Sequence, residues 1–482
     1  MRLFPKKPNK LKYSLTSDNK FNALRKKEFS RLDSLGQTYL DYTGGNLHPK
    51  SLLSDHYNVL QKSILGNPHS TNPSSQMATK LVEEARKKIL SFFNADDYYC
   101  IFTPNASGAL KIVGECYPFE DNGHFLLISD NHNSVNGIRE YCKSKGGDFT
   151  YSPIHQSDLR IDEDKLMENI TSFGDKKNKL FGFPAQSNVS GVKHDWKWVK
   201  TAKGNGWDVL LDAAAFVPTC KLDLKKVQPD FVSVSFYKIF GFPTGIGCLL
   251  VKKDSFPKLK KHWFAGGTVD YVSVKKSNHL LIANHERFEN GTINYLDIPA
   301  IKLGLDFIES IGIDNIRKRI VELTQLFLTE MSQLKHDNGI PVVRIFGPLN
   351  TENRGGTVIM NFQDKDGKTF PFDWIENQAN KKLISIRSGC FCNPGIDEVN
   401  HCVSNEEMTQ FYSSRKDQSF DSSTNYLKYM SQQIGRMRGA TRVSFGIATN
   451  TKDIETFVNF ASKLKNKSIS IVDELKGEGM LN

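Results

Sequence analysis

The run 232–245 of this chain leads from a β-rich stretch into a turn of glycine and proline, and it places a single lysine, Lys238, at the junction. A short apolar strand, 247–251, follows the turn. Packed neighbours at such a junction exclude water from the amine, which lowers its pKa and leaves a neutral amine able to form a Schiff base with an aldehyde. The run therefore indicates covalent chemistry at Lys238, although on its own it also fits an ordinary turn lysine.

Polar groups follow other apolar runs at the same predicted sheet edge, which is where open α/β sheets bind ligands. After 101–103 comes a turn of small residues that contains Ala106 and Ser107 and opens a helix. Its backbone N–H groups can cradle a phosphate, or the turn can simply cap the helix. His132 follows the run 126–129, where its flat ring can stack on an aromatic cofactor or lie in a surface loop.

Two further strand ends carry groups suited to an aromatic cofactor. Asp212 follows 209–211, and its carboxylate can keep a pyridinium nitrogen protonated or cap the next helix. Asn188 or Gln186, after another strand, can donate to a phenolic oxygen. In chain order, the phosphate turn, the stacking ring, the amide, the carboxylate and the lysine predict a site for pyridoxal 5'-phosphate (PLP).

The eight cysteines are scattered along the chain and form no disulfide framework, so reduced thiols are expected. Cys390 and Cys392, with His401 and Cys402, can be interpreted as a metal site. Zinc knuckles, however, separate their paired cysteines by about two to four residues, and here one residue stands between them. We therefore expect no metal.

Basic residues outnumber acidic ones by 64 to 53 in the 482 residues, and nine of the basic residues lie within residues 1–27, beside the single acid Asp18. This composition predicts a solvated basic arm over residues 1–35, with a transit peptide, an anionic-surface contact or nucleic-acid binding as alternatives. Because the rest of the chain is nearly neutral, we expect neither nucleic acid nor a membrane as a partner. The sequence contains no apolar stretch of about 18 residues, which favours a cytoplasmic protein.

Apolar strand-like runs alternate with helical segments through the first part of the chain. This pattern is typical of an α/β domain with a mostly parallel sheet between layers of helices, here predicted over 36–298. From residue 299 the pattern changes to a smaller α+β domain over 299–482, which carries the Cys-x-Cys loop. The strands predicted in the large sheet are 99–103, 125–129, 180–183, 209–211, 231–235 and 247–251.

Local signals predict several other elements. A helix is expected over 74–93, with Ser74 or Ser75 as its N-cap. The smaller domain is predicted to begin with a long helix, 299–332, that is interrupted near Gly312. Later elements are expected to be strands at 342–346 and 357–362, a helix before Ile384 and a polar loop over 403–428.

The chain resembles the class V aminotransferases among the fold-type I PLP-dependent transferases and, more narrowly, the amino-terminal cysteine desulfurase domain of molybdenum cofactor sulfurases. The resemblance runs from about Tyr39 to Phe457 and implies a seven-stranded type of large sheet. The motifs that carry it are Gly-Asn-Pro-His-Ser at 66–70, Ser-Phe-Tyr-Lys-Ile-Phe-Gly at 235–241, Phe-Glu-Asn-Gly-Thr at 288–292 and Arg-Ser-Gly-Cys-Phe-Cys-Asn-Pro-Gly at 387–395.

The resemblance implies a role for each candidate cofactor ligand. Lys238 would be the Schiff-base lysine, Asp212 the pyridinium partner and His132 the stacking ring. Asn188 would lie near the phenolic oxygen. The phosphate contacts that the resemblance implies come from Ser107, with Ala106 beside it, Ser235, the Tyr237 hydroxyl and Thr268 of a second subunit.

Further roles concern the substrate and the nucleophile. Arg442 would clamp the substrate carboxylate, which suits the bidentate geometry of a guanidinium. Cys392 matches the catalytic thiol of the family, and a thiolate at neutral pH needs exposure and a positive neighbour. Arg387 is the candidate for that neighbour and for substrate binding. Two inert cysteines are the alternative interpretation.

These implications predict a homodimeric, PLP-dependent cysteine desulfurase that converts L-cysteine to L-alanine and leaves a persulfide on Cys392. The alternatives are another class V activity (transamination, epimerisation or C–S lysis) that does not need Cys392, and a sulfur carrier without catalysis. Many relatives have Gln or His near the aspartate that corresponds to Asp212, at the position where this chain has Ala215. Eukaryotic sulfurases continue into a second domain, whereas this sequence stops at Asn482, so molybdenum cofactor and an acceptor protein are both open as sulfur acceptors.

Overall fold

The computed structural model describes residues 13–120, 122–413 and 438–470. A seven-stranded sheet forms the centre of the large domain, and a four-stranded sheet forms the centre of the smaller part. The strands, in chain order, are β1 Thr38–Tyr39, β2 Tyr98–Thr103, β3 Gly123–Ile128, β4 Asp148–Ser152, β5 Asn178–Pro184, β6 Asp208–Asp212, β7 Phe231–Ser235, β8 Gly247–Lys252, β9 Val269–Val272, β10 His279–Leu281, β11 Val343–Phe346, β12 Thr357–Phe362, β13 Ile384–Ser385, β14 Arg387–Gly389 and β15 Ala440–Ser444.

Helices cover both sheets and connect their strands. Two short 3₁₀ helices, Lys253–Lys258 and His285–Phe288, add to the α-helices. The α-helices are α1 Asp18–Glu28, α2 Arg31–Ser34, α3 Lys50–Lys62, α4 Pro73–Phe92, α5 Ala106–Cys116, α6 Asn133–Asn136, α7 Ile138–Ser144, α8 Glu163–Ser172, α9 Lys197–Gly204, α10 Leu224–Val227, α11 Tyr237–Phe240, α12 Pro299–Ile311, α13 Ile313–Gln333, α14 Phe372–Asn380, α15 Pro394–Asn400, α16 Asn405–Ser413 and α17 Thr451–Ser462.

The large sheet has the strand order β2-β8-β7-β6-β5-β3-β4. Strand β8 runs antiparallel to both of its neighbours, and all other pairings are parallel. Along β3, Phe125 and Leu127 join one apolar core, whereas Leu126 and Ile128 join the other. Because alternate side chains point to opposite faces, both faces of the sheet are buried, as parallel sheets require. The predicted α/β class and mostly parallel sheet are confirmed.

The smaller sheet is antiparallel, with the order β11-β12-β15-β14. Helices α13 and α17 pack beside it, with the rings of Phe327 and Phe457 5.5 Å apart. Strand β1 pairs with β13, and the Ser444 amide donates to the Leu40 carbonyl at 2.7 Å. The segment after β1 is therefore held against the smaller sheet, although it lies within the range 36–298 predicted for the large domain.

The predicted solvated arm does not hold for the described part of residues 1–35. Helix α1 buries Phe21 and Arg25 (2% and 4% exposed), and Arg25 Nη1 lies 2.6 Å from the Asp453 carboxylate in α17. Arg319 in α13 binds Asp18 in the same way, at 2.7 Å. Of the residues that suggested a tail, the basic Arg25 and the acidic Asp18 are thus used as ion-pair partners of the smaller domain. Residues 1–12 lie outside the described part of the chain.

Other local predictions can be compared directly with the elements. Helix α4 begins after Asn72, whose side chain accepts from Ser75 N, so the predicted serine caps are wrong. The break near Gly312 is confirmed, since α12 and α13 meet at this residue. Within the predicted 403–428 loop, helix α16 forms, and 414–428 lie outside the described residues. In the described ranges, no helix is long and apolar enough to cross a bilayer.

Candidate active site

A cavity of about 270 Å³ lies at the carboxyl ends of the parallel strands. Its position follows from the topology, because β5, β6 and β7 all end at this edge of the sheet. Its size is near the lower limit of ordinary ligand pockets, about 300 Å³, and suits a single substituted ring. Predicted site residues that line it are Ala106, Ser107, His132, Asn188, Asp212, Ser235, Tyr237 and Lys238, together with Gln186.

Lys238 lies in the short helix α11, directly after β7. Burial lowers the pKa of its amine below the usual lysine value, Arg442 and Arg387 lower it further, and the Asp212 carboxylate opposes the effect. A larger fraction of this amine is therefore neutral near pH 7 than for a surface lysine. A neutral amine at the wall of a cavity is suited to bond with an aldehyde or to accept a proton.

The carboxylate of Asp212 ends β6 and is held by two donors. The Ser233 hydroxyl on β7 donates to Asp212 Oδ1 at 2.9 Å, and the Ala214 amide donates to the same oxygen at 3.1 Å. Asp212 is 8% exposed and lines the cavity. Such an oriented, buried carboxylate is suited to bind a protonated ring nitrogen.

The start of helix α5 forms the predicted phosphate turn. The Ser235 hydroxyl accepts from the Ala106 amide at 2.9 Å, and the hydroxyls of Ser107 and Ser134 are 2.6 Å apart. At Gly247 a Cβ would approach the Asn105 backbone to 2.7 Å, so glycine lets β8 lie against the turn. Hydroxyl groups and a helix start thus converge at one end of the cavity, an arrangement that suits an anion.

His132 lines the cavity just after β3. Its Nδ1 accepts from the Ser134 amide at 3.1 Å, so the neutral ring carries its proton on Nε2. Burial lowers the pKa of His132, with Lys238 and Arg442 adding to this effect and Asp212 opposing it. A neutral, apolar-faced ring is the form that stacks most readily on another aromatic ring.

Asn188 and Gln186 were alternatives for one contact, and both line the cavity. The Asn188 side chain donates to the Phe391 carbonyl at 2.8 Å and accepts from Asn393 at 3.1 Å, so it also holds the segment 390–395, which we call the cysteine loop. Gln186 donates to the Ala215 carbonyl at 3.0 Å. Its Oε1 is buried and has no hydrogen-bond partner among the described residues.

Two arginines meet at one carboxylate beside the cavity. Asp41 accepts from Arg442 at 2.8 Å and from Arg387 at 2.7 Å. Arg442 also donates to the Asn188 carbonyl at 2.8 Å, while its Nε is buried without a partner in the part of the chain that the structure describes. Its side chain is 3% exposed and that of Arg387 is 51% exposed. Arg387 can therefore present guanidinium donors to a carboxylate entering from solvent, whereas the remaining donor of Arg442 is enclosed.

The cysteine loop docks onto the strand end that carries His132. The Cys392 carbonyl accepts from the Asn133 amide at 2.6 Å, and Cys392 is an exposed free cysteine. Phe391 and Cys392 have left-handed φ values of 56° and 55°. This backbone conformation costs free energy for any residue other than glycine. Cys390 is half-buried, and burial raises the pKa of its thiol. The loop therefore exposes one thiol and shields the other.

Four predicted residues do not line the cavity, namely Thr268, Arg387, Cys392 and Arg442. Thr268 is fully buried and bonds to Ala265 within its own loop. Sequence reasoning missed Asp41, Ser233 and Asn393, which position the predicted groups. A signal was present for Ser233, since it alternates with Ser235 along β7. For Asp41, no local pattern points to partners 346 and 401 residues away.

Comparison with known proteins gives one family. The model of the class-V aminotransferases matches residues 38–457. The human protein named molybdenum cofactor sulfurase is 35% identical over 460 residues, a match that covers 91% of this chain and 50% of the human sequence. The chain thus spans about half the length of this curated relative.

Solved structures with the same fold include a cysteine desulfurase from Thermococcus onnurineus, with a TM-score of 0.75, 23% identity and coverage of 92% of this chain and 97% of that one. A variant of the protein C-DES, with glycine covalently linked to its PLP cofactor, has a TM-score of 0.67 at 16% identity and covers 91% and 98% of the two chains. At these identities the likeness establishes the fold.

Proposed function

The chain belongs to the class-V aminotransferase family, and from this premise we propose that it is a PLP-dependent cysteine desulfurase. The reaction converts L-cysteine to L-alanine and leaves the sulfur as a persulfide on Cys392. The observation that carries this proposal is the 2.6 Å hydrogen bond between the Cys392 carbonyl and the Asn133 amide. It sets an exposed thiol beside the cavity that contains Lys238 and Asp212.

The donor set of the cavity fits PLP. Lys238 offers an amine to the aldehyde, Asp212 a fixed carboxylate to the ring nitrogen, and the α5 turn hydroxyl groups to the phosphate. Gln186 lines the same space, and its buried carboxamide oxygen lies next to Gly355 without a hydrogen-bond partner within the described ranges. We assign Ala106, Ser107, Ser235 and Tyr237 to the phosphate end, His132 to the ring face and Asn188 to the phenolic oxygen.

When bound, PLP supplies an aldehyde carbon to which amines bond and a ring that accepts electrons. The chain's own groups manage the protons. Lys238 Nζ, whose pKa is lowered, takes the proton from the substrate Cα. Asp212 keeps a proton on the ring nitrogen, since Ser233 and the Ala214 amide fix the carboxylate in place.

Substrate orientation falls to the two arginines. We assign Arg442 to the α-carboxylate of the substrate, because its buried Nε has no hydrogen-bond partner among the described residues. Arg387 adds a second positive charge. Asp41 holds both guanidinium groups in fixed positions and offsets part of their charge. A carboxylate fixed there directs the rest of a small amino acid toward Lys238 and Cys392.

Sulfur transfer is the step assigned to Cys392. Its thiolate attacks the substrate sulfur, a sulfur–sulfur bond forms, and the substrate carbon–sulfur bond breaks with its electron pair left on Cβ. Protonation of that carbon gives L-alanine. The substrate and the Cys392 thiol together contain all the atoms of alanine and the persulfide, so no external oxidant is needed.

We further propose a homodimer whose interface includes the hairpin that follows Thr268. Thr268 itself is 0% exposed, so its predicted contact with the cofactor of the partner subunit would require its loop to rearrange. The β9–β10 hairpin next to Thr268 exposes large apolar side chains, with Tyr271, Val274 and Leu280 64%, 100% and 64% exposed. Exposed apolar clusters of this kind are typical of subunit interfaces. Analytical ultracentrifugation should give twice the chain mass, and charged substitutions at Tyr271 and Leu280 should give monomers.

Molybdenum cofactor is our proposed sulfur acceptor, on the basis of the relative named for that reaction. An acceptor protein remains the other candidate. Adding molybdenum cofactor to the persulfide-loaded chain should remove the extra sulfur from Cys392 faster than buffer alone.

The desulfurase proposal is tested by alanine formation from L-cysteine. Cys392→Ser should lower the rate by at least about 100-fold, because the nucleophile is lost. Cys402→Ser is the matched control, since Cys402 is also an exposed free cysteine, and it should keep the wild-type rate. Full activity in Cys392→Ser would favour the competing transaminase, epimerase or C–S lyase functions.

A further inference from the structure

Asp130 is a buried carboxylate that the proposed reaction does not use. It lies two residues before His132 and is fully buried. Its Oδ1 accepts from the Ser187 hydroxyl at 2.8 Å and from the Asn393 side chain at 2.7 Å, and its Oδ2 lies 3.1 Å from His194 Nε2. One carboxylate thus joins three separate segments of the chain.

Its partner Asn393 follows Cys392 directly and is 1% exposed. Besides its bond to Asp130, the Asn393 amide donates to Asn188 Oδ1 at 3.1 Å. The side-chain oxygen Oδ1 of Asn393 accepts from the Ile396 backbone amide at 3.4 Å and caps helix α15. Both amide hydrogens of Asn393 are therefore used, and both acceptors belong to the strand ends around the cavity.

We propose that Asp130 is a positioning residue for the nucleophile, which acts by fixing Asn393 and so holding the backbone of Cys392 against Asn133, next to the cavity residue His132. The Cys392 carbonyl bond to Asn133 and the left-handed backbone at Phe391 and Cys392 set the direction of the thiol. Asn188, which donates to the Phe391 carbonyl, holds the residue before Cys392, and the Asp130–Asn393 bond holds the residue after it. This inference rests on the proposed desulfurase function only in its kinetic part.

The replacement Asp130→Asn tests the anchor with little change in volume. It sets an amide N–H toward either the Asn393 side chain or His194 Nε2, so Asn393 loses its acceptor unless the His194 ring changes tautomer to accept instead. Asn393→Ala removes the same bond from the other side and serves if the first variant fails to fold. Asp230→Asn is the control, because Asp230 is also buried and accepts from Ser255 and Lys203, but lies before β7 at the far edge of the sheet.

The first readout is amide hydrogen exchange of the peptide containing 390–396. We expect at least about 10-fold faster exchange in Asp130→Asn and Asn393→Ala, equal to about 1.4 kcal/mol of local opening. Asp230→Asn should leave this peptide at the wild-type rate. Because the readout needs no substrate, it tests the anchor even if the wild-type chain forms no alanine from cysteine, an outcome that would count against the proposed function alone.

The second readout compares two rates in the cofactor-loaded chain, namely solvent exchange of the substrate Cα proton and alanine formation. Exchange depends on Lys238 and Asp212, whereas alanine formation also needs the thiol. Asp130→Asn should lower alanine formation at least about 10-fold more than proton exchange. Unchanged loop exchange, or an equal fall of both rates with loss of bound cofactor, would overturn the positioning role.

Discussion

Gly395 lies against the backbone of Ser129, at the end of β3, so closely that a Cβ at position 395 would overlap the Ser129 carbonyl oxygen. The cysteine loop therefore reaches the sheet edge because a side chain is missing at one position. This contact joins the C-terminal part of the chain to the strand end that leads to His132. The loop that carries Cys392 and the segment that carries His132 are consequently attached to the same strand end.

Gly395→Ala is expected to push the loop away from β3. Alanine formation should fall at least about 10-fold, because a displacement of about 1 Å at a reacting group has effects of that size or larger. Cofactor absorbance should remain, since Lys238 and Asp212 are untouched. Gly174→Ala is the control, as a Cβ at Gly174 would meet no atom within 4 Å. Equal activity in the two variants would contradict the docking argument.

Arg442→Lys retains the positive charge and removes the planar fork of donors. We expect the KM for L-cysteine to rise about 10- to 100-fold, because hydrogen bonds to charged groups contribute about 1.5–3 kcal/mol. Steady-state kinetics give KM and kcat separately. Arg344→Lys, at an exposed position on β11, should leave both unchanged. An unaltered KM in Arg442→Lys would show that the carboxylate binds elsewhere.

Arg387→Gln should alter the pH dependence of Lys238. Burial lowers the pKa of this amine, and Arg387 contributes to the lowering, so removing its charge raises the pKa. The neutral amine is the form that bonds to an aldehyde, and the rate of PLP uptake by the cofactor-free chain should therefore have its midpoint at higher pH than in the wild type. Arg344→Gln should keep the wild-type midpoint. A midpoint at lower pH in Arg387→Gln would contradict the conclusion that Arg387 lowers the pKa of Lys238.

Arg25→Met tests whether helix α1 is part of the fold. Its guanidinium pairs with the buried Asp453 at 2.6 Å, and the substitution leaves that carboxylate without its cation. Breaking one side of a buried pair costs about 3–5 kcal/mol, which urea denaturation would report as a lower free energy of unfolding. Lys26→Met, at an exposed neighbour, should change stability by less than about 0.5 kcal/mol. Equal stability of the two variants would mean that α1 is dispensable.

The large sheet was predictable because its buried strands are continuous apolar runs. Six of its seven strands were located to within about two residues. The exception is β4, Asp148–Ser152, an edge strand whose mixed polar and aromatic residues lack such a run. Helix α1 was missed because its sequence is mostly polar and basic, which is typical of a solvated tail. The ion pair that buries Arg25 is made with Asp453, 428 residues later, and no local pattern predicts it.

Within the site, residues that end strands could be identified and residues that hold them could not. Lys238 and Asp212 each follow an apolar run, so topology alone brings them together. Asp41 and Asn393 act through partners in distant parts of the chain, and no spacing in the sequence encodes those contacts. Their roles depend on how the smaller sheet and the cysteine loop dock onto the large domain.

The central claim is that sulfur from L-cysteine is transferred to Cys392. Incubation of the cofactor-loaded chain with L-cysteine, followed by peptide mass spectrometry without reductant, should show a gain of about 32 Da, one sulfur atom, on the Cys392 peptide. The Lys238→Ala chain should show no such gain. Alanine formation without added mass on that peptide, or an equal gain in Lys238→Ala, would contradict the account.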